Sequence, residues 1–129
     1  PYGMNVRRMD AHGGWLATPT DLVRFAVRVD GFPTKADILK SDAISEMAAA
    51  PTASPGYAKG WAVNKHNNWW HAGSLPGTST ILVRTHHEFC WAALTNTRNH
   101  KSNLSSDLDQ LMWKMIGKIT RWPGIDLFA

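Results

Sequence analysis

Residues 69–95 read WWHAGSLPGTSTILVRTHHEFCWAALT. Three apolar segments are separated by two short polar turns, which predicts β-strands at Trp69–Gly73, Thr78–Arg84 and Phe89–Thr95. Turns this short join antiparallel strands, because a parallel connection needs a crossover of a dozen or more residues. A further strand is predicted upstream, at Tyr57–Asn64, where Asn67 and the residue after it form the next turn. The stretch therefore predicts an antiparallel sheet of about four strands.

Helical patterns lie on both sides of these strands. Thr18 is a good N-cap, the proline after it suits the first helical position, and Asp21 completes a capping box. The apolar spacing that follows predicts a helix that ends near Asp30. Further helices are predicted over residues 41–50 and 105–120, the last with an apolar stripe along one face. The fold class predicted is α+β, with flanking helices packed on the sheet.

Composition limits the class of protein. The chain has 129 residues, of which 43% are hydrophobic and 19% charged, so it is long enough for one domain with a core and is not intrinsically disordered. No apolar run approaches the ~18 residues that a membrane span needs. The charge of +4 is scattered, and no polybasic block marks a tail. Seven tryptophans could stack nucleic-acid bases, but core and cleft packing is the favoured interpretation, so we expect no nucleic-acid partner.

The candidate site lies on the first of the three strands. His71 and Gly73 are two residues apart, so they share one face. A glycine inside a strand marks close approach of a ligand or another backbone, and a histidine beside that gap can bind an anion or relay a proton. The backbone N–H of Ser74 can donate to a developing oxyanion. The alternative is a histidine satisfied within the fold, followed by a Gly/Pro loop, and the residues alone leave both open.

Two other groups are weaker candidates. His86, His87, Glu88 and His100 have no zinc-type spacing, and adjacent strand residues point to opposite faces, which favours a solvated hairpin turn. We therefore expect no metal, and no other cofactor is indicated. Cys90 lies in an apolar run, which favours a buried, inert thiol over a nucleophile.

Four segments together carry a family resemblance. Residues 71–77 (HAGSLPG) resemble the third motif of the serine β-lactamase and penicillin-binding-protein superfamily, in the His-x-Gly form that replaces Lys-Thr-Gly. Residues 13–25 (GGWLATPTDLVRF) and 57–61 (YAKGW) resemble that branch's Gly-Gly-helix segment and the strand that enters the motif. The last helix agrees in position. The branch includes class C-like β-lactamases, D-alanyl-D-alanine carboxypeptidases and esterases, and the resemblance covers the C-terminal portion of its domain.

The resemblance implies a place and a role for each motif residue. His71 and Gly73 would line one wall of the active site, and the Ser74 N–H would be one of two oxyanion-hole donors. The strand would lie alongside an acyl substrate, which is a β-lactam, a D-amino-acid peptide or an ester. Ala72 stands where the family has a threonine whose hydroxyl helps to hold a substrate carboxylate. The family's α/β/α sandwich and a periplasmic or extracellular location are also implied, although no signal in this chain shows the compartment.

The family's nucleophile and second motif are missing from these 129 residues. None of the eight serines is followed by lysine at the third position, and neither tyrosine begins Tyr-x-Asn. Covalent catalysis needs the nucleophile within reach of its base. One hypothesis is that residues 1–129 are the C-terminal part of a serine hydrolase domain whose N-terminal part lies upstream of Pro1. The other is a non-catalytic domain that binds a ligand or partner in the former cleft.

A partner is expected along the last strand. The resemblance places N-terminal strands beside Phe89–Thr95, and without them this strand is an apolar open edge. We therefore expect the edge to pair with the N-terminal part of the same domain or with a second copy.

Overall fold

A computed structural model describes residues 3, 5–99, 101–126 and 128 of the chain. After a 3₁₀ turn at Val6–Arg8, the helices and strands follow in this order: α1 (Pro19–Ala26), α2 (Ser41–Ala48), β1 (Ala62–Val63), β2 (Trp69–Leu75), β3 (Thr78–Arg84), β4 (Cys90–Thr95) and α3 (Leu104–Ile116). None of the helices among the described residues is long and apolar enough to cross a bilayer.

The four strands form one antiparallel sheet in the order β1-β2-β3-β4. The register between β2 and β3 places Gly73 opposite Thr80, and a two-residue turn joins Leu75 to Thr78. Gly77 in that turn has a φ of +83°, a conformation that favours glycine. The predicted α+β class and the antiparallel sheet of four strands are both confirmed.

The sheet is covered by helices on its two faces. On one face Trp61, Trp69 and Leu82 pack with Ala26 of α1 and Ile44 of α2. The opposite face carries a second cluster, formed by Ile81, Val83 and Trp91 with partly buried residues of α3 packed against them. Alternation along each strand produces this division, because successive side chains point to opposite faces.

The start of α1 agrees with the capping pattern in the sequence. Thr18 Oγ1 accepts a hydrogen bond from the Asp21 N–H at 3.1 Å, and an Asp21 carboxylate oxygen accepts from the Thr18 N–H at 3.1 Å. The helix ends at Ala26 rather than near Asp30. The chain tightens there, since the Val29 N–H bonds to the Ala26 carbonyl, three residues back.

The strand predicted over residues 57–64 is mostly wrong. Only Ala62–Val63 pair with β2, and Tyr57 makes one isolated bridge to Ala62. The intervening residues turn, because Gly60 has a φ of +86° and the Ala58 N–H bonds to the Trp61 carbonyl at 2.7 Å. This turn brings the Gly60 carbonyl next to β2, where it contributes to the candidate site.

Candidate active site

His71 lies on β2 with its side chain exposed. Its ring Nδ1 is 2.8 Å from the carbonyl oxygen of Gly60. A carbonyl oxygen only accepts hydrogen bonds, so Nδ1 carries the proton and donates. In the neutral ring Nε2 then bears the lone pair, and it is free to accept a proton from a substrate or a nucleophile.

Tyr57 is a second partner of this histidine. Its hydroxyl lies 3.4 Å from Nδ1 of His71, and the two rings meet edge to face with centroids 6.4 Å apart. Sequence reasoning identified neither Tyr57 nor Gly60 as a group that orients His71. The signal available was the glycine itself, which permits the turn that presents its carbonyl.

The Thr80 side chain, on the neighbouring strand, leaves room only for a glycine at position 73. A Cβ atom at this position would lie 2.6 Å from Thr80 Oγ1 on β3. The close approach expected from a glycine inside a strand is therefore that of the Thr80 hydroxyl. Because Gly73 has only a hydrogen, no side chain projects from β2 at this position beside His71.

The N–H of Ser74 points away from β3. Leu75 and Thr78 flank a two-residue turn, so they exchange both backbone hydrogen bonds. Because bonded and non-bonded pairs alternate along an antiparallel ladder, the N–H and C=O of Ser74 point to the other side of β2. On that side β1 pairs only with Trp69 and Trp70, so the described strands leave the edge beside Ser74 open. The edge is suited to accept an extended substrate or to donate to an oxyanion.

Ala72 lies apart from these groups. Alternation turns its methyl group to the α3 side of the sheet, where it lines a cavity, whereas His71 and Gly73 share the α1 side. The structure thus brings His71, Gly73 and the Ser74 N–H to one stretch of β2 and directs the Ala72 side chain elsewhere.

We compared the sequence with models of known protein families, and the match covers all the site residues described above. The sequence model described as Beta-lactamase matches residues 1–111. The chain belongs to the β-lactamase family. The match includes every strand of the sheet and α1, and it places the chain in the serine β-lactamase and penicillin-binding-protein superfamily, as the motifs predicted. No curated protein and no solved structure gave a significant match.

Three other histidines of this β-lactamase-family chain, His66, His86 and His87, form a surface cluster. The rings of His86 and His87 have centroids 3.8 Å apart, and His66 lies 6.2 Å from His86. Desolvation first, and then the neighbouring rings, lower the pKa of His86. Among the described residues no three His, Cys, Asp or Glu side chains are arranged to hold a metal ion, and His100 lies outside that part of the chain.

Cys90 is half-buried at the start of β4. Burial, followed by the nearby Asp30 carboxylate, raises the pKa of its thiol to about 12. The thiolate is therefore scarce at neutral pH, which supports the interpretation of Cys90 as an inert thiol.

Arg84 anchors the far end of β3 to the loop after α1. Its Nε and Nη2 atoms donate to the Asp30 carbonyl at 3.0 and 2.7 Å, and Nη1 donates to the Asn67 carbonyl at 2.8 Å. The guanidinium also lies between the rings of Phe32 and Trp69, 3.8 and 4.2 Å from their centroids. These contacts hold the base of β2 and β3 in place, which supports the register at Gly73.

Proposed function

We propose that residues 1–129 form the C-terminal part of an acyl-serine hydrolase of the β-lactamase type and supply one wall of its active site. The observation that carries the proposal is the joint placement of His71 and the Ser74 N–H on the open edge of β2. His71 has its tautomer set by the Gly60 carbonyl. Membership of the β-lactamase family supports the reaction class proposed here, which is transfer of an acyl group to serine and then to water.

Each group has a chemical task in this proposal. The Ser74 N–H donates to the carbonyl oxygen of the substrate as negative charge develops there, which stabilises the tetrahedral intermediate. His71 accepts or donates a proton through Nε2, or in its charged form binds an anionic group of the substrate. The backbone of β2 aligns the substrate as an added strand. Gly73 leaves room for the Thr80 hydroxyl, which lets β2 and β3 pair closely beside His71.

The nucleophile comes from outside these 129 residues in this proposal. None of the eight serines precedes a lysine at the required spacing. The substrate is a β-lactam, a D-amino-acid peptide or an ester. Ala72 has no hydroxyl, and its methyl group faces the α3 side of the sheet, away from His71. No side chain at this position holds a substrate carboxylate, which favours esters and amides over penicillins and peptides that end in D-alanine.

The test is an acylation and turnover assay on the full-length protein. We expect a fluorescent penicillin or an activated ester to form a covalent adduct and to be hydrolysed. The His71→Ala variant should lower kcat/KM by about 10²–10⁴-fold, the range for loss of a general acid or base. His66→Ala, which removes an exposed histidine on another loop, is the matched control. No adduct and no turnover with either reagent would refute the proposal.

The missing nucleophile also supports a second function, a non-catalytic domain that binds a ligand or partner at the same edge. Binding of an ester analogue without any turnover, lost on His71→Ala, is expected in that case. Turnover by the 129-residue chain itself, abolished by the same substitution, would exclude it.

The partner proposed for the sheet is a strand along β4. Among the described strands β4 pairs with β3 alone, and Leu94 on it is 37% exposed. An unpaired edge of this length promotes association with the N-terminal part of the domain or with a second copy. Light scattering of the 129-residue chain should show a dimer that Leu94→Lys weakens. A monomer whose β4 edge is unpaired would contradict this proposal.

A further inference from the structure

A cavity of about 320 Å³ lies between the sheet and α3, on the face opposite His71. Trp70 of β2 and Trp113 of α3 contribute to its walls, and Asp109 lies one helical turn before Trp113. The volume falls in the range of sites that hold small organic ligands.

Most polar groups of the lining already have partners inside the protein. The side-chain oxygens of Asn64, Asn68 and Asn103 accept hydrogen bonds from backbone N–H groups at 2.8 to 3.3 Å. The hydroxyl of Ser105 donates to the Thr80 carbonyl at 3.1 Å. These bonds tie the walls together and leave those oxygens less available to a ligand.

Asp109 is different. Its Oδ1 atom is buried, and within the described part of the chain it has no hydrogen-bond partner. Burial raises the pKa of this carboxyl group, while the nearby indole N–H groups of Trp113 and Trp91 oppose that rise. Trp91 Nε1 is also buried without a hydrogen-bond partner among the described residues, so neither indole reaches Oδ1 in hydrogen-bond geometry. A buried carboxylate oxygen without a donor is costly, so a bound donor there stabilises the fold.

We propose that this cavity binds a small organic cation, an ammonium or guanidinium group on an apolar body, with Asp109 as its counter-charge. Oδ1 of Asp109 is the one buried, unpartnered polar side-chain atom among the described residues of the lining, and an acceptor of this charge selects a cationic donor. The indole rings of Trp70 and Trp113 supply the apolar and π surface on which such ligands rest. The site does not depend on the proposed hydrolase function, because it lies on the other face of the sheet.

Two probes of nearly equal shape test the proposal. Benzylammonium carries the positive charge, and benzyl alcohol does not. We expect isothermal titration calorimetry at pH 7.5 and constant ionic strength to show benzylammonium binding one to one and at least about tenfold more tightly than the alcohol. This comparison of two ligands uses the protein without substitutions, so its result does not depend on whether any variant folds.

Two variants locate the charge that the cation recognises. Asp109→Asn should weaken benzylammonium binding by at least about tenfold while circular dichroism shows an unchanged fold. Asp107→Asn removes an exposed acid from the first turn of the same helix and changes the net charge equally, so it should leave the affinity unchanged. Equal affinity for the two probes, no binding of either, or equal losses in the two variants would overturn the proposal. None of these results depends on hydrolysis, so they leave the His71 proposal to its own assay.

Discussion

Replacing Gly73 by alanine tests why the motif strand carries a glycine. The new Cβ would lie 2.6 Å from Thr80 Oγ1, well inside the separation that real contacts of this kind adopt. Threonine is stiff about χ1, so relief requires a change of the Thr80 rotamer or a shift of β2 against β3. Either change disturbs the strand that carries His71 and the Ser74 N–H.

The expected cost follows from two opposing effects. Overpacking by one methyl group in a well-packed site costs about 1–3 kcal/mol. Removing a glycine restricts the unfolded chain, which contributes about 0.4–1 kcal/mol in favour of the folded state when the backbone conformation is compatible. Gly73 does not have a positive φ, so the second effect applies. The net expectation is a loss of about 1–2 kcal/mol in the free energy of unfolding.

A double-mutant cycle isolates the contact with Thr80. In a Thr80→Ala background the obstructing oxygen is gone, so Gly73→Ala should be neutral or stabilising by up to about 1 kcal/mol. In a Thr80→Val background a methyl group takes the place of the oxygen, so the loss should persist. Urea denaturation followed by tryptophan fluorescence measures all six proteins. The same cost in both backgrounds would show that Thr80 is not the reason for the glycine.

Three further predictions concern groups around the sheet. Arg84→Met leaves the buried Asp30 carbonyl and the part-buried Asn67 carbonyl without their donor. It should lower the free energy of unfolding, measured by urea denaturation, by about 2–4 kcal/mol, whereas exposed Arg121→Met should lower it by less than about 0.5 kcal/mol. Equal effects of the two substitutions would contradict the anchoring role. Cys90, with its pKa raised to about 12, should react with iodoacetamide at pH 8 at least about tenfold more slowly in the native protein than in urea, and equal rates would contradict its burial. Burial raises the pKa of Asp109 above 3.8, so its ionisation costs stability as pH rises through the interval between the unfolded and folded pKa values. Asp109→Asn should therefore gain stability relative to the wild type between pH 3 and pH 7, and a constant difference would refute this.

Sequence patterns predicted those helices and strands that are determined by neighbouring residues, such as caps and turns. The capping box of Thr18 and Asp21 placed the start of α1, and the two short turns placed β2 to β4 in an antiparallel order. The prediction of a strand over residues 57–64 was mostly wrong. Their apolar alternation suggested a strand, whereas the left-handed turn at Gly60 interrupts it. The same turn orients His71, so the error in the strand and the missed partner of the site have one cause.

Contacts between distant residues explain what the local patterns missed. Asp109 lies one and a half turns into α3 and faces the cavity beneath the sheet, a position that no local pattern in the sequence marks. Arg84 looked like one of several scattered basic residues, and only the packing of Phe32 and Trp69 on its two faces shows that it is an internal anchor. The burial of these two side chains depends on contacts between elements that are tens of residues apart along the chain.

By itself the amino-acid sequence determined the α+β class and the antiparallel order of the strands, because hydrophobic period, capping residues and turn residues act over a few positions. The β-lactamase family was indicated by the resemblance of four motif segments, and the family model that matches residues 1–111 shows it. The tertiary structure alone decided the tautomer of His71, the direction of the Ser74 N–H and the burial of Asp109 Oδ1 without a partner among the described residues. Each of these depends on a register or a contact between segments that are distant along the chain, and a register shift of one residue would reverse every face involved.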